Sequence, residues 1–458
     1  VITIEIVTFE TKGLGDRTYL AHDGTHAVIV DPQRDIDRFL GRIEELGLTL
    51  THVLETHVHN DYVTGGYALA RRTAADYVLN RDEELKFGFT GVTDGDELTS
   101  GTMTIRVLHT PGHTPTHLSY VLAHDGEDRA VFTGGSLLFG TVGRTDLISQ
   151  AATKDLTRDQ FQSANRLVEE LADDVAVQPT HGFGSFCSSA DSDEDVNSST
   201  IGREKQSNVA FTVGGEDEFV AELIAGLDAY PRYYAHMGPM NRLGPADVDL
   251  SPPVPADPAQ LRARIHAGEW VVDLRTRKAF AADHVAGTVN IELTESLATY
   301  LGWLMPWGRP VTLVGDTAED VVAAQREIVR IGIDRAAAGA HGGIDRYGEG
   351  LDRSAYRVVT FEDVADARDA GEDPLILDTR RHDEWVEEHV EGAIHVPLHE
   401  LPDRIDELPT DRDAWVHCAS GFRAAIATSL LARSGRRPVL IDDEYERASK
   451  SGLSVLSA

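Results

Sequence analysis

The stretch VDLRTRKAFAADHVAGTVNI (Val272–Ile291) returns in register as LDTRRHDEWVEEHVEGAIHV (Leu377–Val396). The Asp-x-Arg, the His-Val-x-Gly and the apolar positions coincide. Each copy continues with a second apolar strand, Pro310–Val314 or Ala414–His417, then a loop and a helical pattern starting near Val321 or Ala424. Strands alternating with helices at this spacing specify a parallel sheet. Two copies specify two similar α/β domains of about a hundred residues each. They are expected at 259–352 and 357–458, behind a proline-rich linker at 251–258, SPPVPADP within Ser251–Pro258.

The second copy contains HCASGFR (His417–Arg423), a strand that ends in Cys418, a short loop of Ala419, Ser420, Gly421 and Phe422, and then a helix. Backbone N–H groups of a tight loop at a helix N-terminus favour an anion, and so favour the reactive thiolate of a cysteine placed there. Gly421 lets the loop turn. Arg423 adds a cation that can hold the loop or an anionic sulfur donor. The bland alternative is a core cysteine that happens to precede a helix. In the first copy Gly315 stands at the cysteine position and Asp320 at the arginine position. That copy is expected to be catalytically dead.

The repeat resembles the rhodanese family. Asp378 and Arg380 match its Asp-x-Arg, HVEGAIHV (His389–Val396) matches its following segment, and CASGFR (Cys418–Arg423) matches its six-residue active loop. The resemblance implies sulfur transfer, with Cys418 as nucleophile carrying a persulfide and Arg423 beside it. One departure is IDD (Ile441–Asp443), where the family usually has Gly-Gly.

Residues 1–250 hold most of the histidines. ETHVHNDY (Glu55–Tyr62) follows an apolar strand, and PGHTPTH (Pro111–His117), FTGGS (Phe132–Ser136), GRTD (Gly143–Asp146) and PTHGFGSFC (Pro179–Cys187) follow downstream. Imidazoles gathered from separate strand ends suit a first-row metal. His57, His59 and His113 are the expected ligands; Asp61 and His181 are further candidates, and His117 a weaker one. This part resembles the metallo-β-lactamase superfamily, and within it the persulfide dioxygenase branch. The resemblance implies an αββα sandwich and one Fe(II) held by His57, His113 and a carboxylate. Gly135 occupies the carboxylate's position, and Tyr62 replaces the last histidine of the signature. A two-zinc hydrolase of glyoxalase II type is the alternative, and a metal-free binding module a third. The resemblance also puts Cys187 at the pocket's border, where it is expected either to meet substrate or to be an inert buried thiol.

Composition narrows the partners. Acidic residues outnumber basic ones 76 to 42, for a net charge of -34. Such a surface repels nucleic acid and anionic membranes and resembles that of proteins from salt-loving organisms. The opening VITIEIVTFE reads as a strand, no apolar run approaches a membrane span, and the two cysteines lie in separate segments. A cytoplasmic enzyme acting on a small persulfide, thiosulfate or another sulfane-sulfur donor is expected. The oligomeric state, a homo-oligomer included, is left open.

Overall fold

The computed structural model describes residues 3–188 and 197–457. The chain packs as two compact units, 1–249 with 329–334, and 250–328 with 335–458.

The first unit is built on two six-stranded sheets. One runs in chain order from Glu5–Thr11 through Asp16–His22, His26–Val30, Thr49–Leu54 and Asp76–Asn80 to Thr90–Val92. The other is formed by Glu97–Ser100, Met103–His109, Leu118–His124, Glu127–Gly134, Ala176–Pro179 and Ser199–Thr200. Alternation along each strand decides which layer a residue enters. Val28 and Val30 join Tyr19, Ile105, Tyr120 and Phe132 in the core between the sheets. Ile29 instead packs outward with Phe39, Ile43 and Leu69 of the helices Asp37–Leu46 and Gly66–Thr73. The second sheet's outer face is covered by Thr153–Glu170 and Glu216–Ala225 through Ala164, Leu167, Phe219 and Leu223. The result is an αββα sandwich. The acidic stretch Ser188–Thr200, whose polar composition marks a loop, lies mostly outside the described residues. Its end, Ser199–Thr200, pairs with Ala176 and Val177.

In the second unit the repeated sequence becomes repeated topology. Strands Val289–Asn290, Trp270–Asp273, Val311–Val314 and Ala338–Ala340 lie side by side in that order. In the other copy Ile394–His395, Leu375–Asp378, Ala414–His417 and Pro438–Ile441 do the same, with Val358–Val359 added at the edge. All pair in parallel. Pro255 bridges Gly339 where the extra strand would fall in the first copy. Even the buried ion pairs correspond: Arg275 grips Asp273 at 2.7 Å and Arg380 grips Asp378 at 2.7 Å. Among the described residues, no helix is long and apolar enough to cross a membrane.

Candidate functional site

Each of the three pocket histidines in the first unit follows the end of a strand. His57 comes after Thr49–Leu54, His113 after Met103–His109, and His181 after Ala176–Pro179. All are buried. One nitrogen of each ring is already committed. The Arg144 carbonyl can only accept, so His113 Nδ1 donates to it at 2.7 Å. His181 Nδ1 lies 2.9 Å from the Asp16 carboxylate. The Thr56 hydroxyl gives its proton to Asp31 at 2.7 Å and therefore accepts from His57 Nδ1 at 2.9 Å. The three Nε2 atoms are left facing one another: candidate ligand atoms of all three lie within 4.8 Å of each other. His57 and His181 Nε2 are 3.3 Å apart, and His113 Nε2 has no hydrogen-bond partner. Outer partners that fix each tautomer and aim its lone pair inward are what a metal-binding histidine requires.

Charge supports this geometry. Burial and the neighbouring imidazoles hold His57 neutral, well below the usual histidine range. Burial and His181 bring His113 down to about 3. Burial also favours the neutral form of His181, but Asp61 and Asp16 outweigh it and hold that ring up at about 9.

His59, expected as the third ligand, is absent from this group. It clusters instead with Asp61 and His181, and with Asp31 and Glu55. Its Nε2 is 3.2 Å from Asp31 and 3.2 Å from Glu55. Burial opposes a charge there, yet those two carboxylates hold the ring well above its usual value, as a buried imidazolium. Tyr62 stacks on His59, ring centres 4.3 Å apart. His117 has both nitrogens engaged, with Thr110 at 3.0 Å and the Gly135 N–H at 3.0 Å. Gly135 itself packs so tightly on His113 that a Cβ would collide with the imidazole ring. Cys187 is buried. Burial, then the charges of Asp61 and Asp16, push its thiol well up, which keeps it protonated. The supporting roles of Asp16, Asp31, Glu55 and Thr56 were not legible from their motifs. The GRTD segment was visible, but not that its Arg144 carbonyl orients His113.

In the second unit Cys418 ends the Ala414–His417 strand and the helix Phe422–Arg433 begins four residues later. Among the described residues, no backbone N–H from Ala419 to Ala424 donates to a protein acceptor. Cys418 itself is buried. Gly421 adopts φ +88°, which only glycine takes readily. Arg423 is held in a two-point pair with Glu384 at 2.6 and 2.7 Å, which fixes it beside the loop. Burial opposes the Glu384 charge, and the Arg423 pair overcomes it, holding Glu384 below the usual carboxylate value.

The equivalent loop of the first copy is closed on itself. Thr317 N–H donates to Asp320 at 2.9 Å, and Asp320 N–H donates to the Thr317 hydroxyl at 3.1 Å. This reciprocal cap consumes donors that an anion would need. Asp320 thus serves as a built-in anion.

The family models match both ends of the chain. Residues 14–182 match the model of the metallo-beta-lactamase superfamily, and residues 360–448 that of the rhodanese-like domain. Human mitochondrial persulfide dioxygenase ETHE1 is 30% identical over 209 residues, covering 45% of this chain and 72% of that protein. Hydroxyacylglutathione hydrolase GloC of Haemophilus influenzae is 29% identical over 216 residues, covering 41% of this chain and 87% of that protein. The crystal structure of a metallo-beta-lactamase from Staphylococcus aureus subsp. aureus COL superposes with a TM-score of 0.66 at 28% identity, covering 74% of this chain and 98% of that one.

Proposed function

Because the chain belongs to the metallo-β-lactamase superfamily and carries a C-terminal rhodanese-like domain, we propose that it is a sulfur-metabolism enzyme that oxidises a small persulfide at its N-terminal pocket and transfers sulfane sulfur at Cys418. We read it as three domains, 1–250, 259–352 and 357–458, the middle one without its nucleophile. The observation that carries the reading is the occurrence, in one chain, of three inward-facing imidazoles and a cysteine loop with its N–H groups free.

His57, His113 and His181 would hold a single divalent metal, Fe(II) by likeness to the persulfide dioxygenase. The metal would supply a site for O2 activation beside the persulfide. The chain's own contribution is orientation: Arg144, Asp16 and Thr56 fix the rings, and burial keeps water out. Overall, a persulfide, O2 and water give the thiol and sulfite. At Cys418 the thiolate attacks the outer sulfur of thiosulfate. An S–S bond forms, the bond to the sulfonate sulfur breaks, and sulfite leaves with the electron pair. The N–H groups of Ala419 to Ala424 hold the negative charge throughout. A second nucleophile, such as cyanide or a thiolate, then removes the outer sulfur and restores the Cys418 thiolate.

The similarity to GloC supports a second reading, a zinc-dependent thioester hydrolase. Gly135 and Tyr62 weaken it, since two metals would lack both the carboxylate and the histidine at those positions. The test has two arms. Thiosulfate:cyanide transfer should be present in the wild type and absent in Cys418→Ser. O2 uptake with a low-molecular-weight persulfide should be present in the wild type and absent in His113→Ala. Thioester hydrolysis without O2 uptake would overturn the oxidative reading.

A further inference from the structure

Asp442 stands in an awkward place for an anion-binding loop. Its Oδ1 lies against Gly421, so that a Cβ at Gly421 would collide with it. An unbalanced carboxylate here would oppose both the Cys418 thiolate and an anionic donor. The balancing charge comes from the other copy. Arg277 Nε donates to Asp442 Oδ1 at 2.6 Å, and Arg277 Nη2 lies 3.5 Å from the Ser420 carbonyl of the cysteine loop. Glu292 steadies the guanidinium from its own side at 3.2 Å. Lys278 Nζ is 3.6 Å from Asp442 Oδ2 but is largely exposed.

Neither member of this pair follows from the duplication. Aligning Asp273 with Asp378 puts Arg277 opposite His382, and extending the strand register puts Asp442 opposite His341. The acid lies in the copy with the cysteine and the compensating base in the copy without one.

We propose that Arg277 of the non-catalytic copy is a positioning residue for the Cys418 loop, neutralising Asp442 so that the loop's N–H groups stay available to an anionic sulfane-sulfur donor. This rests on the sulfur-transfer reading above and gives the copy without a nucleophile a role at the cysteine loop.

The probe is thiosulfate, titrated calorimetrically into the full-length Cys418→Ser protein, where binding occurs without turnover. Arg277→Gln should weaken thiosulfate about tenfold, since the unmasked carboxylate is partly solvent-screened. Arg277→Lys should recover most of that loss, and Arg277→Gln combined with Asp442→Asn should return to the parent value. A double variant that binds no better than Arg277→Gln overturns the proposal. So does unchanged affinity in Arg277→Gln with a lowered Tm, which would make the pair mere glue, and so does a parent that binds no thiosulfate. Binding that follows the expected pattern in a protein whose intact Cys418 transfers no sulfur to cyanide would refute the sulfurtransferase reading and leave the role of Arg277 standing.

Discussion

What distinguishes the pocket histidines from one another is where their second nitrogen goes. His57, His113 and His181 each spend Nδ1 on a fixed acceptor, whereas His59 is locked between two carboxylates. Two predictions follow from that difference. His181→Ala should strip the bound metal, because two protein ligands rarely retain an exchangeable divalent ion. His59→Gln should keep the metal and lower Tm, since Asp31 and Glu55 lose a buried cation. Elemental analysis with thermal denaturation of both variants checks this; metal loss from His59→Gln with retention in His181→Ala would reverse the ligand assignment. Restoring the missing carboxylate by Gly135→Asp should reduce metal content, because its Cβ displaces the His113 ring. Tighter iron binding in that variant would contradict the packing argument. The motifs marked His57, His113 and His181 as candidates, and the fold brings all three together. That His59 packs between Asp31 and Glu55 was not legible, because Asp31 comes from a separate strand end.

The recurring element is a strand, a loop and a helix, and the same frame gives opposite electrostatics. In the second copy the helix N-terminus keeps its N–H groups open; in the first, Thr317 and Asp320 close it. Gly315→Cys in a Cys418→Ser background should therefore give no thiosulfate:cyanide transfer above blank, since the new sulfur would face the Asp320 carboxylate. Clear turnover would mean that the cap does not disable the loop. The Glu384–Arg423 pair makes a pH-dependent contribution. Glu384 titrates below its unfolded value of about 4.3, so the pair's stabilisation is complete above that pH and is lost as the pH falls through the folded value. Urea unfolding of wild type and Glu384→Gln should differ near neutrality and converge under acid. A difference independent of pH would show that the pair is not the cause. The repeat, its parallel strands and the loss of the nucleophile could all be read from residue spacing. The closed cap could not, because a Thr and an Asp three residues apart also occur in open loops.

At the scale of the whole chain, the sequence told the sandwich from the repeated sheets because the His-x-His and Pro-Gly-His-Thr motifs fall before the linker and the Asp-x-Arg pattern begins after it. It did not tell that the two repeats exchange charges, as Arg277 and Asp442 meet only once both copies are folded. The acidic excess, a net charge of -34, opposes the approach of polyanions. The central claim is that the N-terminal pocket is a one-metal oxidative site rather than a two-zinc hydrolytic one. The most direct test is to reconstitute the full chain anaerobically with excess Fe(II), or separately with Zn(II), and to measure metal per chain together with O2 uptake on adding a low-molecular-weight persulfide. The account predicts a single iron per chain and persulfide-dependent O2 consumption that is lost in His181→Ala; two bound zinc ions with thioester hydrolysis, or no bound metal at all, would contradict it.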